Sequence, residues 1–126
     1  MSVEFESIFI RLRAILQKHS TALSVTEDGP GRYCLGAPAT LKVKRPIPVA
    51  WAQIGKNYVS YHLMPVYGCP ELRDGMSKKL RARMQGKSCF NFKVADEMLF
   101  KELEDLTVRG FALFREAGYI PEKKST

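Results

Sequence analysis

Apolar residues near the start of the chain recur at steps of three and four, the spacing of one face of a helix. Basic and amide side chains occupy the other side, at Arg11, Arg13, Gln17 and Lys18. The pattern predicts an amphipathic helix over residues 5–16. Its apolar face comprises Phe5, Ile8, Phe9, Leu12, Ile15 and Leu16.

The next segments are short and rich in turn formers. TEDGPGRY at residues 26–33 contains Gly29, Pro30 and Gly31, which predicts a loop leading into a strand at 33–35. LKVK at 41–44 alternates apolar and basic residues and predicts a half-buried strand. Pro46 and Pro48 cannot donate to a sheet ladder, so this piece is predicted to be an edge, a bend or a connection.

A longer alternation covers residues 49–63, where VAWAQI and YVSYHL flank GKN. A two-residue turn at either 55–56 or 56–57 makes a hairpin, and both turns give the same two faces. The face predicted to enter the core carries Ala50, Ala52, Ile54, Val59, Tyr61 and Leu63. The opposite face carries Val49, Trp51, Gln53, Tyr58, Ser60 and His62.

In the second half of the sequence, Pro70 can begin a helix in its first turn, and MSKKLRARM after Gly75 predicts a helical segment that ends at Gly86. The alternation that follows predicts a strand at 88–94. Asp96 is a suitable N-cap for a long last helix, which ends near Gly118. The order of elements predicts one α+β domain over residues 1–120 and a polar tail at 121–126. We expect an antiparallel sheet of about five short strands packed with N-terminal, middle and C-terminal helices.

Composition narrows the class of protein. The chain has 126 residues, 45% hydrophobic and 26% charged, which is typical of one globular domain. No apolar run approaches the roughly 18 residues of a membrane span, and Glu4 and Glu6 stand where a signal peptide carries basic residues. Three cysteines without CxxC spacing favour reduced thiols. We therefore expect a cytoplasmic protein with no membrane partner.

The region from Trp51 to Gly110 resembles the YdhG-like domain, a family of unknown function. The matching pattern is the hairpin AQIGKNYVSYHL, a Pro-led helix, the strand GKSCFNFK and a final helix. Because some members are described as frataxin-like iron chaperones, the resemblance implies iron binding as one function. The residues do not strengthen this implication: iron favours clustered carboxylates, whereas this chain is basic, and its one acidic cluster lies at the start of the last helix, where the helix dipole explains part of it. Its members are Asp96, Glu97, Glu102, Glu104 and Asp105.

Catalytic and cofactor signals are weak. Cys69 or Cys89 could pair with His62 as a nucleophile, but no family-type sequence surrounds either cysteine. His62 with Cys69 and Asp74 lacks a further ligand that would complete a metal site. His19, at the polar end of the first helix, fits a structural role at the negative end of the helix dipole. We expect no enzyme activity and no cofactor.

Two surfaces are candidates for binding. The net charge of +7 is compatible with an anionic partner but is weak evidence by itself, since many basic domains bind no nucleic acid. The predicted helix at 73–87 concentrates basic residues that could hold nucleic acid or phosphate, or could simply be solvated. These residues are Arg73, Lys78, Lys79, Arg81, Arg83 and Lys87.

The second surface is the non-core face of the sheet, with Trp51, Gln53, Tyr58, Ser60 and His62 as its central candidates. If the neighbouring strands join the sheet, this face also carries Lys42, Lys44, Cys89, Asn91 and Lys93. It could stack a base or a small aromatic ligand, form an interface with a second copy or another protein, or be covered within the chain. The leading hypothesis is a non-catalytic binding module for a small ligand or a protein partner. Nucleic-acid or phosphate binding is the alternative, and iron binding rests on the resemblance alone.

Overall fold

The computed structural model describes residues 3–21, 23–37 and 47–120, which form eleven helices and strands. The two long helices, α1 and α5, are the first and last elements, and the strands and three short helices lie between them in the sequence. The elements are α1 (Val3–Gln17), β1 (Ser24–Gly29), β2 (Arg32–Ala37), β3 (Ile47–Ile54), β4 (Val59–Leu63), α2 (Met64–Gly68), α3 (Glu71–Asp74), α4 (Lys78–Arg81), β5 (Met84–Gln85), β6 (Cys89–Phe92) and α5 (Glu97–Ala117).

The strands form one antiparallel sheet in the order β1-β2-β3-β4-β6-β5. This confirms the predicted α+β class and the helices at the two ends. The described part of the chain has six strands and five helices, one strand and two helices more than expected. None of the helices in this part is both long and apolar enough to cross a bilayer.

One face of the sheet packs against α1 and α5 to form the core. Tyr61 is fully buried there, and its hydroxyl lies 2.6 Å from the Thr107 hydroxyl. Thr107 donates to the Leu103 carbonyl at 2.7 Å, so its oxygen accepts from Tyr61. A buried hydroxyl costs free energy unless it is paired, and this pair joins the sheet to α5 without leaving a donor unsatisfied.

The β3–β4 hairpin confirms one of the two predicted registers. Ile54 pairs with Val59, and the Gly55 amide donates to the Tyr58 carbonyl at 2.8 Å, which makes Lys56 and Asn57 the turn. The predicted core face is correct: all its members are buried except Ile54, which is partly exposed.

The ends of α5 are also as predicted. The Asp96 carboxylate accepts a hydrogen bond from the Leu99 amide at 3.2 Å. Gly118 adopts φ 85° at the other end, a left-handed conformation that suits glycine.

The predicted loop at 26–33 is wrong, because β1 extends to Gly29 and only Pro30 and Gly31 form the turn to β2. β1 is an edge strand whose side chains are largely exposed, so it shows no apolar alternation. A bulge also interrupts its pairing with β2 between Val25 and Glu27. The predicted strand at 41–44, with Lys42 and Lys44, lies outside the described residues.

Val49 departs from the predicted face. The pairing of β2 with β3 shifts between Leu35 and Gly36, which are opposite Ala50 and Pro48. Val49 falls at this bulge and is buried in the core cluster. Pro48 is tolerated inside a strand because a bulge relieves the need for a ladder hydrogen bond.

The predicted continuous helix through 76–84 is also wrong. Helix α4 covers only Lys78–Arg81, with Ser77 as its N-cap, and Met84 then pairs with Phe90 as part of β5. Gly86, predicted to end a helix, has φ 77° in the turn between β5 and β6. Local helix propensity at 82–85 is overridden because pairing with β6 satisfies the backbone of a short edge strand.

Candidate functional site

The sheet surface opposite α1 and α5, here called the open face, carries side chains from all six strands. The registers place Cys34 beside Trp51, Trp51 beside His62, and His62 beside Cys89 in one row across the sheet. A parallel row contains Arg32, Gln53, Ser60 and Asn91. Four of the five predicted face candidates lie in these rows. The fifth, Tyr58, precedes β4 and lies beside them, with its hydroxyl 3.5 Å from Oε1 of Gln85.

An aromatic stack lies at the centre of the open face. The Trp51 and His62 rings are 4.5 Å apart between centroids, with an angle of 15° between their planes. The two residues are directly opposite each other on β3 and β4, a pairing in which side chains on adjacent strands come close. Both remain partly exposed, so the stack is supported from the sheet side and accessible from the other.

A hydrogen-bond network fixes the polar side chains next to the stack. Asn91 donates from Nδ2 to Oε1 of Gln85 at 2.6 Å, and its Oδ1 accepts from the Ser60 hydroxyl at 3.0 Å. The Cys89 thiol donates to the same Asn91 oxygen at 3.3 Å. These bonds hold the amides and hydroxyls in place before any partner arrives.

The strand residues of the open face balance their charge. Arg32 donates from Nε to Oε1 of Glu27 at 2.7 Å and also donates to the Gln53 side chain. Lys93, predicted for this face, follows the end of β6 and is exposed. The centre of the open face is therefore polar and close to neutral, although the whole chain carries +7.

His62 and Cys89 are in contact, and burial shifts the pKa values of both toward their neutral forms. Nε2 of His62 lies 3.4 Å from the Cys89 sulfur. Burial, with a smaller effect of Arg32, lowers the pKa of His62 below its usual value. Burial raises the pKa of the Cys89 thiol, and a hydrogen bond with Ser60 opposes that shift. Neither shift favours the thiolate–imidazolium pair that is found in many cysteine nucleophiles.

The other cysteine and histidine candidates lie away from an assembled site. Within the described residues, no three His, Cys, Asp or Glu side chains come together as metal ligands, so Cys69 and Asp74 do not complete a site with His62. His19 follows the end of α1, where its ring and the Phe111 ring are nearly perpendicular, with centroids 4.9 Å apart.

The carboxylates of the acidic cluster at 96–105 have separate partners. Glu97 pairs with Arg11, Glu104 with Lys18, and Asp105 with Arg109 at 3.3 Å. Glu102 accepts from the amide and the hydroxyl of Ser77 at 2.8 and 2.7 Å. Each carboxylate has its own partner, so these residues do not present a shared oxygen site for iron.

The basic residues predicted to line one helix are distributed over several elements. Arg73 lies in α3, Arg83 in the turn before β5 and Lys87 in the turn before β6, while Lys78, Lys79 and Arg81 lie in α4. The Arg81 side chain donates to the Arg73 carbonyl, which uses part of its hydrogen-bonding capacity within the protein. Anion binding by this group stays a prediction, without the continuous helix on which it was based.

Sequence reasoning missed Glu27, Arg32 and Gln85 as members of the open face. Glu27 and Arg32 fell in the segment interpreted as a loop, and Gln85 in the segment interpreted as helix. The Pro30–Gly31 pair was the available signal, because two residues between extended segments mark a hairpin.

Comparisons of the chain with models of protein families, with curated proteins and with solved structures return no match. The resemblance to YdhG-like domains stays a prediction. The residues and geometry of the chain itself are the basis for a functional proposal.

Proposed function

We propose that the protein is a non-catalytic binding module whose open face contacts another protein surface, with a second copy of the chain as the partner. The observation that carries the proposal is the Trp51–His62 stack, partly exposed at the centre of the face. Aromatic side chains are enriched in protein interfaces because they bury a large area with few rotatable bonds. Trp51 is the anchor of the proposed interface.

The shape of the open face favours a protein partner over a small ligand. Small-molecule sites are usually concave and enclose most of the ligand surface. The concavities described for this protein lie elsewhere, for example between α1 and α5 and at the beginning of β3. Neither of these two concavities includes Trp51 or His62.

Charge balance supports a second copy as the partner. In a two-fold dimer the same patch contacts itself, so a patch of one sign would repel its copy. The open face instead carries Glu27 and Arg32 side by side. In a symmetric contact, each could also face its opposite in the other subunit.

The absence of activation at the Cys–His contact supports a non-catalytic role. The shifts of the His62 and Cys89 pKa values both favour the neutral forms.

Sedimentation velocity from about 5 to about 500 μM would measure the proposed dimer, a range that covers weak to moderate affinities. We expect Trp51→Ala to raise the dimer dissociation constant at least about tenfold, the effect of removing an interface anchor. Met98→Ala is the matched control, because Met98 is 82% exposed on α5 and away from the sheet.

A second readout locates the contact. Trp51 is the only tryptophan of the chain, so its fluorescence reports on the open face alone. Acrylamide quenching should fall as the protein concentration rises through the dimer dissociation constant. A wild-type protein that stays monomeric over the whole range, with constant quenching, contradicts the proposed dimer.

A further inference from the structure

A second surface of the protein has the features of a ligand site. It is a groove of about 350 Å³ where the beginning of β3, helix α2 and the end of α5 meet. Its deeper part includes Ala37, Val49 and Phe114, which are 8%, 3% and 7% exposed. Three larger side chains stand at its rim: Ile47, Tyr67 and Tyr119, which are 53%, 56% and 66% exposed.

The lining of the groove is apolar and aromatic. None of the described residues that line it is charged. The Phe114 and Tyr119 rings meet edge to face with centroids 5.1 Å apart, and the backbone of Gly68 packs so closely that a Cβ there would lie 3.3 Å from the Phe114 ring. Concave apolar surfaces of this volume are typical of small-molecule sites.

A cation stands beside this apolar surface. The Lys87 ammonium lies 5.8 Å from the centre of the Tyr67 ring, which stands at the rim of the groove. No ion pair involves Lys87 among the residues that the structure describes. Its charge is therefore available to an anion at the rim, and its long side chain can follow that anion.

We propose that this groove binds a small hydrophobic anion, with an aromatic or aliphatic body against Phe114 and Val49 and an acidic head group at Lys87. The apolar lining supplies most of the affinity through the area removed from water. Lys87 supplies the preference for an anion over a neutral compound of the same shape. The site is separate from the open face and does not depend on dimer formation.

Two dyes with nearly the same hydrophobic body test both parts of the proposal. One is 1-anilinonaphthalene-8-sulfonate, which carries a sulfonate, and the other is N-phenyl-1-naphthylamine, which is uncharged. We expect the sulfonate dye to bind with one site per chain and with enhanced fluorescence, and decanoate to displace it.

Variants then assign the two parts of the site. Lys87→Met should raise the dissociation constant of the sulfonate dye by roughly fivefold, the effect of losing one partly solvated charge contact. The dissociation constant of the neutral dye should change by less than about twofold. Tyr67→Ala should lower the affinity for both dyes. Lys78→Met is the matched control, since it removes the same charge from an exposed position on α4 and should change the affinity for neither dye.

Three outcomes would overturn the proposal. The full chain could fail to bind either dye. Lys87→Met and Lys78→Met could weaken the sulfonate dye equally, which would indicate attraction to the net charge of the chain. Trp51→Ala could remove dye binding while Tyr67→Ala leaves it unchanged, which would place the dye on the open face. Loss of the dimer in the sedimentation experiment has no bearing on these results, so the two proposals fail independently.

Discussion

At the scale of single residues, His62 joins the candidate site to the stability of the fold. Burial and Arg32 lower its pKa in the folded protein, so between the usual histidine value of about 6.5 and the folded value the unfolded chain binds more protons. The free energy of unfolding should therefore fall as the pH decreases through that window and level off below the folded pKa.

Urea denaturation at several pH values, followed by Trp51 fluorescence, measures this dependence. His62→Gln should remove that part of the pH dependence, whatever it does to the absolute stability. His19→Gln is the control for the other histidine of the chain and should retain it. Equal pH dependence in the wild type and in His62→Gln would show that His62 protonates alike in the folded and unfolded states.

Residue positions on the two faces of the hairpin were predictable because alternation depends only on the geometry of an extended chain. Trp51, Ser60 and His62 were therefore placed on one face correctly. Val49 was not, because the bulge that moves it into the core arises from the pairing of Gly36 with Pro48. That pairing involves two distant segments, and periodicity within one segment does not report on it.

At the scale of secondary structure elements, the close approach of α5 to α2 lets us predict the effect of one substitution. Gly110 lies in the middle of α5, and a Cβ there would lie 2.8 Å from Pro65 Cβ in α2 and 3.5 Å from Leu72 in α3. In an exposed helix, alanine is better than glycine by about 1 kcal/mol. Overlap with Pro65 should reverse this, so we expect Gly110→Ala to lower the free energy of unfolding by about 1–3 kcal/mol.

Chemical denaturation of Gly110→Ala and Ala112→Gly provides the comparison. Ala112 is exposed on the same helix, so its variant measures helix propensity without a packing change. Both variants should be less stable than the wild type, although the substitutions run in opposite directions. A more stable Gly110→Ala protein would mean that α2 moves away from α5 at little cost.

Elements with a strong internal pattern were predictable, and elements formed by pairing were not. Helices α1 and α5 both show apolar residues at helical spacing, and α5 also has the cap residues Asp96 and Gly118, so both helices were identified from the sequence. Strand β5 has two residues and no pattern of its own, and it exists because β6 offers an edge. The continuous basic helix that supported the anion-site hypothesis is absent from this part of the structure, because the basic residues lie in two short helices and two turns.

At the scale of the whole molecule, net charge distinguishes the binding hypotheses. Two copies that each carry +7 repel one another at long range even when the contacting faces are balanced. Added salt screens that repulsion, so the proposed dimer should become tighter between about 50 and about 300 mM NaCl, where the Debye length falls below roughly 14 Å. Binding of nucleic acid would weaken over the same range because counterion release opposes it.

Sedimentation at several salt concentrations, in parallel with titration of a random oligonucleotide, measures both trends. The dimer proposal expects opposite salt dependence in the two experiments, or no oligonucleotide binding at all. A dimer that weakens with salt would indicate that ion pairs such as Arg32 with Glu27, and not the Trp51 stack, dominate the contact.

The two edges of the sheet limit how copies of this chain can associate. An edge strand exposes unpaired amides and carbonyls on which another chain can add a strand, the first step toward fibrils. Here β1 carries a bulge and two acidic side chains, Glu27 and Asp28, and β5 at the other edge has only two residues. Neither edge offers a long, flat template for a continuous intermolecular sheet. Growth by strand addition is therefore disfavoured, and association between broad faces can stop at two copies.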